Sequence, residues 1–394
     1  MSPGQWLLLG LLLLSLLALA WTFVGYPLAV ALQARLRPQP LQSQPWLPAL
    51  SVCIAVHNGA EHIEAKLEDL FAQDYPPERL QLVVVCDGCS DDTAARLECR
   101  AEPRLSVRVV AERRGKSTCL ADALALATGE VLVFTDVRQR LQPGSLRALC
   151  AALASGELSA VGGLLRFETA PGRPVPADPY WRFESWLRAA EARSGSVVGV
   201  SGALYAVRRA DMPPPPPGLI LDDLWVPLRI AAAGGRIGLE PSAIAWDRPP
   251  GDLRAESVRK RRTLAGNWQL LARWPSLLVP GAHPLWWRFV SHKLLRLLMP
   301  FALLTALLCN LLLFGLHPLL DALLAAQLGG WLLAALGLLL PAARRLLPVR
   351  LATAFVAMNA YAALGLWDHL RGGPGHLWSA AAETPSTVRP EARP

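Results

Sequence analysis

The sequence predicts an α/β protein, with a mostly parallel sheet, one N-terminal membrane helix and about three C-terminal ones. Three observations lead there. Short apolar runs rich in β-branched residues, such as Leu82-Val83-Val84-Val85, lack polar alternation and fit strands buried on both faces. Segments of helical period separate these runs regularly, the pattern of βαβ units. Long apolar blocks lie near both ends of the chain and exceed the ~20 residues that cross a bilayer.

The elements follow in order. Leu7 to Leu32 is the first apolar block. No Lys or Arg precedes it and it is too long for a signal-peptide core, so it reads as an anchor. Arg35 and Arg37 follow, which puts that end in the cytosol. A Pro/Gln-rich linker runs from Pro38 to Pro48. Leu50 to Val56 is the first strand, closed by His57-Asn58-Gly59. Ile63 to Phe71 has helical spacing and ends before Pro76-Pro77. Leu80 to Cys86 is the second strand. Thr93 to Arg100 is a helix, with Ser90 or Asp91 as its N-cap. Leu105 to Val110 is the third strand, and Ser117 to Ala127 a helix. Glu130 to Phe134 is the fourth strand, ending at Thr135-Asp136.

In the second half, Ser159 to Phe167 reads as a strand and Tyr180 to Arg193 as a helix. Met212 to Gly218 is a proline loop. Leu221-Asp222-Asp223-Leu224 opens a helix that reaches about Ala233. Ile237 to Trp246 reads as a strand pair, and Asp252 to Leu271 as a basic helix. His283 to Leu298 mixes Trp286, Trp287 and Phe289 with Arg288, Lys293 and Arg296, as in an interfacial amphipathic helix. Three apolar blocks follow, at 297–316, 319–340 and 351–370. Their first connection, His317-Pro318, carries no Lys or Arg; the second, Arg344 to Arg350, carries three. The positive-inside rule then keeps the soluble part cytosolic. The expected organisation is an anchor at 1–37, a linker at 38–49, an α/β domain at 50–275, the interfacial helix at 283–298, membrane helices at 297–370 and a disordered tail at 371–394.

The chain has 394 residues, 53% of them hydrophobic, and a charge of +8. Its arginines cluster beside the apolar segments, so anionic lipid and anionic substrates explain the charge better than nucleic acid does. The seven cysteines include Cys86-Asp-Gly-Cys89, a CxxC with no second pair at zinc-ligand spacing. They read as small buried residues of a reducing compartment. No HExxH, GxSxG or P-loop pattern occurs.

Asp87 and Asp136 end two strands and should meet at one sheet edge, where open α/β sheets bind ligands. Carboxylates there bind a base, a ribose, or a hard cation carrying phosphates. Arg113, Arg114 and Lys116 lie on another connection at that edge and would neutralise a diphosphate. Together they suit a nucleotide-diphosphate ligand with a divalent metal. Asp91 and Asp92 read as helix-capping residues.

Val56-His57-Asn58-Gly59, Cys86 through Thr93, Gly115-Lys116, Thr135-Asp136-Val137-Arg138, Ser201-Gly202-Ala203, Asp222-Asp223 and Arg259 through Thr263 form an ordered series. In that series the chain resembles the family 2 glycosyltransferases of GT-A fold, the membrane-anchored inverting kind that includes cellulose, hyaluronan and poly-N-acetylglucosamine synthases. The similarity covers roughly Leu50 to Leu271. It implies a bacterial inner-membrane enzyme that moves a sugar from a nucleotide-diphosphate donor, UDP favoured, to a glycan or lipid-linked acceptor at the cytoplasmic face. Mg²⁺ or Mn²⁺ is the implied cofactor. By the resemblance Val56, Asn58 and Asp87 line the nucleotide pocket, Lys116 lies near the nucleotide, Asp136 binds the metal, and Asp223, preceded by Asp222, is the base. Gly202 belongs to the acceptor-side loop.

Two departures stand out. Arg138 replaces the second acid of the metal motif, and either offsets diphosphate charge or bridges to a neighbour. The QxxRW motif of the processive synthases survives only as Arg262, which the resemblance sets against the diphosphate; a basic face towards lipid is the other reading of Arg259 to Arg262. Trp268, further along, either substitutes for the missing acceptor-stacking tryptophan or packs in the core. Transfer of a single sugar to a lipid, or a non-catalytic donor-binding subunit, are the alternatives to polymer synthesis.

Overall fold

The structure is a computed structural model that describes residues 1–174, 179–248, 253–372 and 375. It divides into two compact units. One holds Met1–Gln39, Glu184–Val198 and Lys260–Gly373; the other holds the sheet, with Pro40–Phe183 and Gly199–Arg259. The block expected at 50–275 is therefore split. The tail beyond 375, the residues 175–178 and the expected helix start at Asp252 lie outside the described residues.

Nine strands form the sheet among the described residues: β1 (Leu50–Val56), β2 (Leu80–Asp87), β3 (Leu105–Val110), β4 (Val131–Thr135), β5 (Arg140–Leu141), β6 (Ala160–Ala170), β7 (Arg173–Pro174), β8 (Leu204–Arg208) and β9 (Ile237–Asp247). Their order is β3-β2-β1-β4-β8-β6-β9-β5, with β7 on β6. β3, β2, β1 and β4 pair in parallel, so their carboxyl ends share one edge. β8 enters antiparallel to β4. Every residue of β1 is buried, which is why its sequence is apolar without alternation. Ile63, Leu67 and Leu70 of the helix Ile63–Phe71 pack in the same core.

Three local expectations change. The pair expected at Ile237 to Trp246 is one long strand, β9: Glu240-Pro241-Ser242 is a bulge opposite β6, not a hairpin turn. The N-cap position of the helix Thr93–Glu98 is Asp92, whose side chain makes no capping bond. Asp91, one residue earlier, supplies the capping bond, accepting from Thr93 N, the first N–H of the helix, at 3.1 Å; it also accepts from Ala60 N at 3.0 Å, so it fastens two loops together. The interfacial helix expected at 283–298 does not stand alone. Trp286 runs helically into Leu312 as one apolar stretch.

The other unit contains four helices long and apolar enough to cross a membrane among the described residues: Pro3–Leu36, Trp286–Leu312, Pro318–Leu339 and Leu347–Arg371. Leu12 of the first packs against Ala306, Cys309 and Leu313. Beside these apolar surfaces lies a buried charged cluster. Arg288 donates to Glu191 O and Ser196 O, both at 2.7 Å, and to Ser194 O at 2.8 Å. It thereby satisfies carbonyls at the end of the helix Pro179–Arg193. His292 sits between Glu191 at 2.7 Å and Glu184 at 3.2 Å, and Arg296 donates to Glu184 at 2.7 Å. Burial alone would raise the Glu184 carboxyl, but His292, Arg188 and Lys293 hold it well below the usual carboxylate range.

Candidate active site

The carboxyl edge of β1, β2 and β4 gathers the candidate residues of the sheet unit. Register sets them level: Val56 pairs with Cys86, and Cys53 with Phe134. Val56 is buried at the end of β1. Two residues later Asn58 takes a left-handed conformation, φ 52°, which Asn tolerates better than most residues. Its Oδ1 accepts from Ser90 N at 2.8 Å, tying the loop after β1 to the loop after β2.

Asp87 ends β2 and is wholly buried. Its Oδ1 accepts from Arg114 N at 2.6 Å and its Oδ2 from Gly115 N at 2.9 Å. His57 Nδ1 donates to its carbonyl at 2.7 Å. One carboxylate therefore fixes the chain that delivers Lys116. The Arg114 guanidinium is paired with Asp122.

Lys116 begins the helix Lys116–Leu126 and is the hub of the site. Its Nζ lies 2.6 Å from Asp136 Oδ1 and 4.0 Å from Asp222 Oδ1. Burial alone would lower its pKa, but Asp136, Asp222 and Asp223 raise it, so it stays charged. Asp222 and Asp223 form the first turn of the helix Asp222–Ala232, where the helix dipole favours anions. Asp222 is buried, and Tyr205 donates to its Oδ2 at 3.3 Å. Asp223 Oδ2 accepts from Gly202 N at 3.1 Å. A Cβ on Gly202 would stand 3.2 Å from that oxygen and 3.5 Å from Lys116 Nζ, so Gly202 lets the backbone close on both.

Arg138 bridges to a neighbour. Its guanidinium forks onto Asp247, with Nε to Oδ1 at 3.0 Å and Nη2 to Oδ2 at 2.9 Å, and Gln139 adds a bond to the same carboxylate. Burial would raise Asp247, but the Arg138 fork outweighs it and lowers the carboxyl. Arg262 and Trp268 belong to the helix Leu253–Arg273, in the stretch assigned to the unit of apolar helices. Among the described residues, Trp268 Nε1 is buried there without a hydrogen-bond partner.

Two residues escaped the sequence reading. Lys66 is buried beneath the loop after β4, and its Nζ donates to Thr135 Oγ1 at 3.1 Å and to Gln139 O at 2.6 Å. Burial pulls its ammonium down to about 8, against Asp69 and Asp136. The available signal was a lysine on the apolar stripe of Ile63, Leu67 and Leu70. Asp247 had a weaker one, an acid closing an apolar strand.

Asp87, Asp136, Asp222, Asp223 and Lys116 thus gather at the carboxyl edge of a parallel half-sheet, where open α/β sheets bind their ligands. Residues 51–211 match the glycosyl transferase family 2 model. The chain is 23% identical over 235 residues to a probable glycosyltransferase, YdaM, of Bacillus subtilis (strain 168), covering 56% of each. It is equally 23% identical to the poly-beta-1,6-N-acetyl-D-glucosamine synthase of Staphylococcus aureus (strain COL), covering 58% of this chain and 54% of that one. The chain thus spans about half the length of these curated relatives. Among solved structures, the mannosyltransferase PcManGT from Pyrobaculum calidifontis, in complex with GDP-Man and Mn2+, aligns with a TM-score of 0.66 and 26% identity, over 91% of this chain and 99% of that one. Residues 51–211 thus resemble a family 2 glycosyltransferase domain, and the sheet unit has the GT-A-like fold of that mannosyltransferase.

Proposed function

We propose that this protein is an inverting glycosyltransferase of the cytoplasmic face of a bacterial inner membrane, passing a sugar from a nucleotide-diphosphate donor to a glycan or lipid-linked acceptor. The observation that carries the reading is the meeting of Lys116 with Asp136 and Asp222, beside the Gly202–Asp223 bond, at a parallel strand edge. In this reading Val56, Asn58 and Asp87 form the nucleotide side. UDP is favoured by the resemblance, while the PcManGT neighbour carries GDP-Man, so both bases enter the test. The absence of Lys and Arg at His317-Pro318, against three from Arg344 to Arg350, supports the cytoplasmic orientation.

The residues suit Mg²⁺ or Mn²⁺. One ammonium faces Asp136, Asp222 and Asp223, a surplus of negative charge built from hard oxygen ligands. The Asp136 side chain is 36% exposed and accessible. Among the described residues no three acids, histidines or cysteines cluster closely enough to hold an ion, so Asp136 would hold it together with the donor. A cation held there would supply positive charge to offset that of the departing diphosphate. Lys116 adds a second positive charge at the same edge. Asp223, oriented by Gly202 N, takes the proton of the acceptor hydroxyl as that oxygen attacks the anomeric carbon. Attack opposite the leaving diphosphate inverts the configuration. Arg262 and Trp268 enter on the resemblance alone, as diphosphate and acceptor contacts.

Purified protein given radiolabelled GDP-mannose or UDP-N-acetylglucosamine, Mn²⁺ and membrane lipid should release nucleotide and label an acceptor. A ladder on a gel marks polymer synthesis; a single lipid band marks the single-sugar alternative, which the missing Gln and Trp of QxxRW favour. Donor binding without any turnover, across donors and metals, marks the non-catalytic reading.

A further inference from the structure

The CxxC of the sequence has no part in transfer, yet it brackets the residue that organises the donor edge. Cys86 is the penultimate residue of β2 and is wholly buried. It pairs in register with Val56 on β1. Cys89 is half-buried, and its Sγ donates to the carbonyl of that same Val56 at 3.5 Å. Register thus sets Cys86 opposite Val56, the Cys89 thiol bonds to that same residue's carbonyl, and a hydrogen bond joins the two thiols. Between them the chain turns at Gly88, φ +59°, whose N–H donates to Val110 O at 2.9 Å. A Cβ on Gly88 would stand 2.8 Å from Arg113 N, so this turn packs directly on the 113–116 loop. Asp87, inside the turn, holds the next two backbone N–H groups of that loop.

We propose that Cys86 and Cys89 are a redox-sensitive dithiol, and that closing it to a disulfide distorts the Asp87-Gly88 turn and weakens nucleotide binding. The inference rests on the donor-site reading of that edge. The oxidant class is a low-molecular-weight disulfide. The Cys89 thiolate attacks one sulfur of that disulfide and expels a thiolate, leaving a mixed disulfide on Cys89. Cys86 then gives up its proton and attacks the Cys89 sulfur, expelling the second thiolate. Two protein thiols are oxidised to one disulfide, the reagent is reduced to two thiols, and the two protons pass to them. The order of attack follows from the environment. The hydrogen bond from Cys86 draws the Cys89 thiol down to about 7, against its own burial, so much of it is thiolate at neutral pH. Cys86 is pushed up by the same hydrogen bond and by burial, as suits the second, intramolecular step. Cys99 is exposed and serves as an internal control, and the other cysteines are buried.

The test uses the full chain in lipid nanodiscs, with oxidised glutathione as oxidant and UDP and GDP, each with Mn²⁺, as binding probes. Peptide mapping should find a Cys86–Cys89 link, and nucleotide affinity should fall about tenfold or more and return with dithiothreitol. C89S should keep its affinity through the oxidant. No link, or a link with unchanged affinity, overturns the inference alone. Reduced protein that binds neither nucleotide overturns the donor-site reading and the inference with it.

Discussion

Asp87→Ala removes a buried carboxylate on which two backbone N–H groups converge, those of Arg114 at 2.6 Å and Gly115 at 2.9 Å. An unsatisfied buried donor costs about 1–3 kcal/mol. The Gly115 bond is buried and the Arg114 bond only partly so; at about 2 kcal/mol for the first and about 1 kcal/mol for the second, the pair comes to about 3 kcal/mol. For a unit of this size each kcal/mol lowers the melting point by roughly 2–4 °C, so the expected loss is about 6–12 °C. Asp87→Asn keeps one acceptor and turns a donor towards the other N–H, and should fall about halfway. Because the loop delivers Lys116, both variants should also bind nucleotide more weakly. Scanning fluorimetry with and without UDP or GDP reads both effects. An alanine variant that melts within about 1 °C of the parent and binds nucleotide equally would refute the role given to this carboxylate.

Removing Arg138 should cost more stability than removing its partner's charge. Arg138→Met leaves Asp247, which is 4% exposed, without its ion partner, whereas Asp247→Asn leaves a guanidinium whose side chain is 37% exposed. Urea unfolding of the two variants should differ in that order by about 1–2 kcal/mol after allowing for solvent screening. Gly202→Ala should lower transfer by about tenfold while melting within ~2 °C of the parent, since its Cβ would press on Asp223 rather than on the core. Acid should destabilise the unit of apolar helices through Glu184. Its folded pKa is depressed, so its stabilisation is present above the ordinary glutamate range and is lost as pH falls below it towards the folded value. The melting point of Glu184→Gln should therefore change less than the parent's between neutral and acidic pH.

Much of the fold was legible because burial on both faces leaves a plain record. β1, β2 and β4 are apolar runs, and each ends at a polar turn. Composition and length gave the apolar helices for the same reason. What stayed hidden was non-local. Nothing in Glu240-Pro241-Ser242 distinguishes a bulge from a hairpin; pairing with β6 decides it. The aromatic-basic mixture from Trp286 to Arg296 looked interfacial because Glu184 and Glu191, which neutralise its cations, lie a hundred residues or so away in the sequence. Asp91's cap on Thr93 N was legible, but its second partner, Ala60 N, was not, because Ala60 belongs to another strand connection. At the site, Asp87, Lys116, Asp136, Asp222 and Asp223 came from motif order, and the structure brings them to one edge. Lys66 and Asp247 did not, since each acts through a partner far along the chain.

The central claim is that Asp223 is the group that deprotonates the acceptor, and Asp223→Asn tests it most directly. The amide keeps the oxygen that can accept from Gly202 N and the shape of the side chain, but removes the base. With donor, Mn²⁺ and acceptor supplied, the account predicts transfer reduced by about a thousandfold or more, with nucleotide affinity within about threefold of the parent. Transfer at a near-parental rate by that variant would contradict it.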